Sequence, residues 1–284
     1  MSSNQPSPLF DRALLKRRKA RHAHRLADHN FLFEEVGARL CERLDDINRT
    51  FSKVLVVGEA PIAAIGKLES AVITHALLDD DTEVITAING GALAPESFDL
   101  VLSNMALHWA NDLPGVLVQM RLLLKPDGLL VAGLAGGGTL AELRDCLLGA
   151  EMETIGGAGL RVPPFTDVKD AGHLLQRAGF AMPVADLDPL DIRYRSPLKL
   201  LDDLRFMGEA NPMTDRAKTT LRRDTLMKYD EMYRKRFSDA DGLCYASFNV
   251  LFLTGWAPSP DQPKAKAPGS ATHSLADALK PKAK

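Results

Sequence analysis

The chain has 284 residues, 45% hydrophobic and 25% charged, the proportions of a globular protein long enough for one large α/β domain with additions. A formal net charge of -2 excludes a chain-wide nucleic-acid footprint, so no nucleic-acid partner is expected. Cys41, Cys146 and Cys244 are too scattered for a disulfide framework or a zinc site, and the longest uncharged apolar run, residues 128–139, is too short to span a bilayer.

The first thirty residues are basic and no apolar signal core follows them, so the expected compartment is the cytoplasm. Arg12, Lys16, Arg17, Arg18, Lys19, Arg21 and Arg25 crowd residues 12–25. That density predicts a solvated basic helix or arm over residues 1–30, either without a partner or docked on an acidic protein surface. His22, His24 and His29 stand near Asp28. A metal site would need fixed ligand geometry that spacing alone does not supply, so they read as titratable residues of the arm and the metal is left unknown.

From Glu34 the apolar residues Val36, Leu40, Leu44 and Ile47 recur at helical spacing. Residues 54–57 form a β-branched and leucine run ending at Gly58, which suits a strand buried on both faces of a parallel sheet. Weaker strands are expected at 71–73 and 83–88, and a stronger one at 98–102. Val116, Leu117, Met120, Leu123 and Leu124 share a helical face, stopped by Lys125-Pro126-Asp127-Gly128; residues 129–132 supply a fifth strand. Thr139 with Glu142 three residues on predicts a capping box for a helix carrying Leu140, Leu143 and Leu147. Strand and helix alternate as in doubly wound sheets.

Residues 174–180 end a helix with Gly179 just past its last turn, and a strand near Val184 follows. Ser196-Pro197 opens a helix whose apolar side is Leu198, Leu201, Leu204 and Met207. A second helix over 214–236, with Leu221, Thr225, Tyr229 and Tyr233 along one stripe, makes a helical hairpin before the last strand, 246–254. Beyond Trp256, Pro, Lys, Ala and Ser without periodicity predict a disordered or loosely docked tail over 257–284. Gly136-Gly137-Gly138 and Gly156-Gly157 lack the Lys-Ser/Thr sequel of a phosphate loop and read as turns.

Three pieces, residues 98–104, 124–130 and 174–180, resemble a class I S-adenosylmethionine (SAM) methyltransferase fold over roughly residues 31–256. A narrower set spans nearly the whole chain: Phe10-Asp11-Arg12, Leu107-His108-Trp109 with Asn111-Asp112-Leu113-Pro114, Pro164-Phe165-Thr166, Met207-Gly208-Glu209, Gly255-Trp256 and Gly269-Ser270-Ala271-Thr272. With these the chain resembles the methyltransferase-like complex I assembly factors of mitochondria. The malonyl-carrier methyltransferases of biotin synthesis share the scaffold but not the full set.

The resemblance implies a Rossmann-like sheet of seven strands with a helical hairpin lid near 196–237. It implies, as substrate and partner, a subunit of respiratory complex I, reached at the periphery of that membrane complex. It also implies hydroxylation of an arginine in spite of the methyltransferase scaffold.

SAM-binding members carry a glycine-rich turn after the first strand, so that backbone N–H groups approach the ligand unobstructed. Here Gly58 is followed by Glu59, Ala60, Pro61 and Ile62. Pro61 lacks a donor, and Glu59 sets a negative charge near the cofactor's carboxylate. Residues 72–75 lack the acid that would accept from the ribose, although Asp79, Asp80 and Asp81 follow and would serve if the strand runs further. Asn89 stands after the third strand, where an Asp would serve the adenine. The cofactor site is expected to be degenerate, formed by Gly58, Asn89, Ser103 and Asn104, with SAM weakly bound or lost.

Loops at the carboxyl ends of parallel strands form the ligand crevice, which directs residues 103–112 to the site. His108 is a candidate base or donor, Trp109 a platform for a guanidinium, and Asp112 its carboxylate partner. The alternatives are local packing for His108 and Trp109 and an N-cap for Asp112. Two other functions fit the same residues: SAM-dependent methylation of a small molecule or carrier-bound substrate, and a non-catalytic assembly chaperone.

Overall fold

The structure, a computed structural model, describes residues 8–58, 68–79, 83–88 and 93–263. Seven strands form one sheet: β1 (Lys53–Val57), β2 (Val72–Leu78), β3 (Ile85–Ala87), β4 (Phe98–Asn104), β5 (Leu124–Ala135), β6 (Ala181–Tyr194) and β7 (Cys244–Trp256). Their order is β3-β2-β1-β4-β5-β7-β6. β1 pairs in parallel with β2 and β4, and β4 with β5, whereas β7 runs antiparallel to both β5 and β6. Val54, Leu55 and Val57 are fully buried, as a central strand with helices on both faces requires.

The helices are α1 (Arg12–His22), α2 (Phe31–Asp45), α3 (Leu113–Leu123), α4 (Ala141–Ile155), α5 (Val168–Arg177), α6 (Pro197–Phe206) and α7 (Arg223–Phe237). One face of the sheet packs on α3 and α5 through Leu117, Met120 and Leu175. The other packs on α2, α4, α6 and α7 through Leu40, Leu147, Leu200 and Tyr229. Alternation along β4 divides Leu100 and Leu102 from Val101, the two-residue period of a strand feeding two cores, and the register shift between Phe98 and Leu100 turns Phe98 to the same core as Val101.

Several local expectations change. β2 continues to Leu78, so Asp79 follows it directly, and the chain returns as a hairpin into β3, antiparallel to β2 with Ala87 opposite Ala76. Strand and helix therefore do not alternate at this edge. Thr139 and Glu142 form no capping box: Leu140, with φ 57°, precedes α4 without a side-chain cap. Thr139 Oγ1 donates to Asn249 O, and Glu142 accepts from Ser247. Both polar groups are used on β7.

The expected hairpin lid is also different. The second helix begins at Arg223, and α7 lies along α4, where Thr154 meets Thr225 at 2.8 Å and Lys228 meets Glu153 at 3.0 Å. In α6 the buried positions are Pro197, Leu200 and Leu204, while Leu198 is exposed.

The basic segment is not a solvated arm. Leu15 is buried, Arg12 donates to Leu78 O and Trp109 O, and Arg18 donates to Ala210 O and Asn211 O. Residues 8–11 pair with 212–214 through Asp11 N–Pro212 O and Thr214 N–Leu9 O. The tail's start is likewise docked: Ala257 N donates to Gly128 O, and Gln262 Nε2 to Asp127 Oδ1. Residues 264–284, including Gly269–Thr272 of the resemblance, lie outside the described residues.

Candidate functional site

β4 delivers a 3-10 turn, Leu107–Trp109, to the carboxyl edge of the sheet. Its two polar aromatic side chains converge on one carboxylate from the segment after α6. Glu209 Oε2 stands 2.8 Å from His108 Nε2 and accepts from Trp109 Nε1 at 2.7 Å. Lys19 Nζ of α1 is 3.7 Å from Glu209 Oε1. A carboxylate only accepts, so the network places a proton on His108 Nε2. Burial pushes the Glu209 pKa up, yet the charges of His108 and Lys19 and the two hydrogen bonds outweigh it, and the net value falls below the usual carboxylate range. Glu209 is therefore a buried anion.

Aromatic rings enclose this group. Phe10 meets Trp109 edge-on at 5.2 Å between centroids, and Phe165 lies 5.9 Å from His108 and 5.8 Å from Trp109. Trp109 is 2% exposed, its N–H is committed to Glu209, and Phe10, His108 and Phe165 pack around its ring. It is not an open platform for a guanidinium, because the chain's own Phe10 has taken the contact.

Asp112 does not join the pair. It is exposed and caps α3, accepting from Gly115 N at 2.9 Å, the role its place before Pro114 permits. The loop it belongs to is held by Glu83, whose two carboxylate oxygens accept from Asn111 N and Asp112 N, both at 2.6 Å. Asn111 in turn exchanges two hydrogen bonds with the backbone of Phe10. Glu83 has a left-handed φ of 55°, which aims its side chain at the loop from the β2–β3 turn.

The cofactor candidates divide similarly. Ser103 and Asn104 are buried, with Ser103 Oγ donating to Val57 O and Asn104 Nδ2 to Phe33 O; they brace β4 against β1 and α2. Gly58 has φ +118°, and a Cβ there would lie 2.7 Å from Ala106 Cβ, so only glycine permits this approach of the first and fourth strand ends. Asn89, Glu59, Ala60, Pro61 and Ile62 lie outside the described residues.

Two cavities flank the 3-10 turn. The first, about 160 Å³, is lined by Gly58, Asp79 and Trp109 together with Arg12, Lys16 and Lys19 of α1. The second, about 130 Å³, is lined by Phe10, His108, Leu134, Pro164 and Phe165. The first sits at the ends of β1 and β2, the position of a nucleoside in such sheets. Gly58 and Asp79 fit SAM there, since the strand end now places an acid where the ribose hydroxyls need one. When bound, SAM would supply a methyl group on a sulfonium.

Sequence reasoning missed Glu209 and Lys19 as neighbours of His108 and Glu83 as the support of the Asn111–Asp112 loop. Glu209 is signalled only by its place in Met207-Gly208-Glu209. Among the described residues no cluster of potential metal ligands occurs, and no helix is long and apolar enough to cross a membrane.

Residues 74–132 match the family model "Methyltransferase domain". The chain is 37% identical over 297 residues to the mitochondrial arginine-hydroxylase NDUFAF5 of Danio rerio, covering 98% of this chain and 92% of that protein. It is 33% identical over 168 residues to the malonyl-[acyl-carrier protein] O-methyltransferase of Gallionella capsiferriformans, covering 59% of this chain and 55% of the relative. Among solved structures, the 1,6-didemethyltoxoflavin-N1-methyltransferase of Burkholderia thailandensis is similar at 14% identity and a TM-score of 0.46, over 91% of this chain and 94% of that one. The chain belongs to the family of the NDUFAF5 arginine-hydroxylases.

Proposed function

We propose that this protein binds a subunit of respiratory complex I during assembly and hydroxylates one of its arginines. The observation that carries the reading is the near full-length relationship to proteins named arginine-hydroxylase. The buried assembly of His108, Trp109 and Glu209 supports it by fixing a polar imidazole beside a partly open, largely apolar cavity. Three free cysteines suit a reduced compartment, and we place the activity in the cytoplasm, at the periphery of the membrane complex. Intact-mass spectrometry of the target subunit, with and without this protein, tests the reading. Hydroxylation adds one oxygen, about 16 Da, methylation about 14 Da, and a chaperone adds nothing.

A second reading, SAM-dependent methyl transfer to a small molecule or carrier-bound substrate, is favoured by Asp79 at the end of β2. We rank it lower because Pro61 and Glu59 follow Gly58, removing a donor and adding an anion, and SAM is accordingly expected to bind weakly. Stoichiometric low-micromolar SAM binding in a calorimetric titration, with a SAM-dependent gain of about 14 Da, reverses this order.

A further inference from the structure

A further hollow lies against α1 and the 3-10 segment that continues it, Ala23–Asp28. Its volume is about 430 Å³, within the roughly 300–1,000 Å³ of small-molecule sites. Ala20, Ala23, Leu26, Phe33, Phe206 and Met207 are its apolar walls, and Lys16 and Lys19 are the only ionisable side chains that line it. Phe206 is fixed as one wall: His22 meets it edge-on at 5.3 Å, and the Arg25 guanidinium stacks 4.3 Å from the ring centre.

The lining is polarised along its length. Lys16 and Lys19 stand one turn apart on α1, and the apolar residues run on from them to Leu26, so one end suits a negative charge and the rest suits hydrocarbon. The surroundings have the same sign. Burial, and then the charges of Arg21, Arg205, His24 and Arg25, hold the His22 pKa below its usual value, while Asp28 and Asp203 are engaged by Arg25 and His29.

Size selects the kind of amphiphile. From Lys16 to Leu26 the helical path is about 15 Å, which gives the hollow a mean cross-section of about 30 Å². A partner helix, about 10 Å across, needs about 80 Å². A single polymethylene chain is narrow enough, and at about 1.2 Å of extended chain per bond the length corresponds to about a dozen carbons.

We propose that this groove binds one long-chain acyl anion, its carboxylate on Lys16 and Lys19 and its hydrocarbon tail laid along α1 toward Leu26. Both lysines also line the first cavity, so the head group lies beside the nucleoside position.

The test titrates the full chain by calorimetry with monomeric octanoate, decanoate and dodecanoate, and with dodecyltrimethylammonium as the cation of equal tail. Affinity for the carboxylates is expected to rise about tenfold for each two methylenes added, and dodecanoate to bind about tenfold or more tightly than the cation. Ala23 is exposed, and Ala23→Phe places a ring in the path of the tail, for an expected loss of about tenfold in dodecanoate affinity. Lys16 is the lysine to reverse, because Lys19 also meets Glu209 at 3.7 Å. Lys16→Glu is expected to weaken dodecanoate about tenfold and to strengthen the cation. Equal binding of the two head groups, no dependence on tail length, or full dodecanoate affinity in Ala23→Phe overturns the proposal. Should Ala23→Phe fail to fold, Ala20→Phe reads the same way. Sedimentation with phosphatidylglycerol vesicles without binding of monomeric dodecanoate, or dimerisation that Ala23→Phe abolishes and dodecanoate leaves unchanged, overturns it as well, in favour of a bilayer surface or a second copy of the chain.

Discussion

Glu209 Oε2 lies 2.8 Å from His108 Nε2, joining two segments 101 residues apart in a region where both side chains are buried. The carboxylate thus does for the 3-10 turn what a local capping group cannot, because it arrives from the far side of the crevice.

Replacing Glu209 with Ala leaves the N–H groups of His108 and Trp109 unmet in the interior, at a cost of about 2–4 kcal/mol. The pH dependence has a definite sign. The folded-state pKa of Glu209 is lowered, so its contribution is fully present above the ordinary carboxylate range and is lost as pH falls through that range toward the folded value. Urea midpoints followed from about pH 6 to about pH 3 are expected to fall less steeply in Glu209→Gln than in the unaltered chain. Parallel curves would refute the assignment.

Glu83 controls the same loop from the opposite side. Its two oxygens each accept a backbone N–H, from Asn111 and Asp112, and Gln offers only one oxygen while setting an amide N–H2 against the other donor. Glu83→Gln is expected to lose about 1–3 kcal/mol, since charge-assisted bonds to backbone amides are the strong ones. Hydrogen exchange at Asn111 and Asp112 should accelerate with it, and unchanged protection there would argue against the clamp.

The central strands and the helix stops were legible because each is written in neighbouring residues. β1 ends in a run of four apolar residues, and Gly179 follows α5 with φ +82°. The end of β2 was not, for a physical reason: Val72 and Ile73 are 65% and 44% exposed, while the buried residues are Ala76 and Leu78. The most apolar pair marked the solvated half of the strand, and polar Thr74-His75 interrupted the pattern before its buried half. The basic helix misleads through composition. Arg12 and Arg18 bond to backbone carbonyls of Leu78, Trp109, Ala210 and Asn211, partners that no charge pattern discloses. Glu209 is invisible to periodicity altogether, because its meaning comes from a contact made only when α6 is docked.

Asp112 offers a contrast between capping and recognition. As the N-cap of α3 it accepts from Gly115 N, and Asp112→Ala should cost about 0.5–2 kcal/mol by thermal or urea unfolding. Its affinity for an arginine probe should match that of the unaltered chain. A selective loss of arginine binding with unchanged stability would restore Asp112 to the recognition site.

Asp79 decides how much of the cofactor cradle survives. It follows β2 directly and lines the cavity that Gly58 opens, so a ribose there would place two hydroxyls against its carboxylate. Charge-assisted hydrogen bonds of this kind contribute about 1.5–3 kcal/mol, and Asp79→Ala should therefore weaken S-adenosylhomocysteine roughly ten- to a hundredfold by calorimetry. S-adenosylhomocysteine is the better probe because it lacks the sulfonium charge, which Arg12, Lys16 and Lys19 along the same wall disfavour. Reversing that wall with Lys16→Glu should bring SAM and S-adenosylhomocysteine closer in affinity. If Asp79→Ala instead binds S-adenosylhomocysteine as the unaltered chain does, the nucleoside does not lie at the end of β2, and the acid found there serves only the turn into β3.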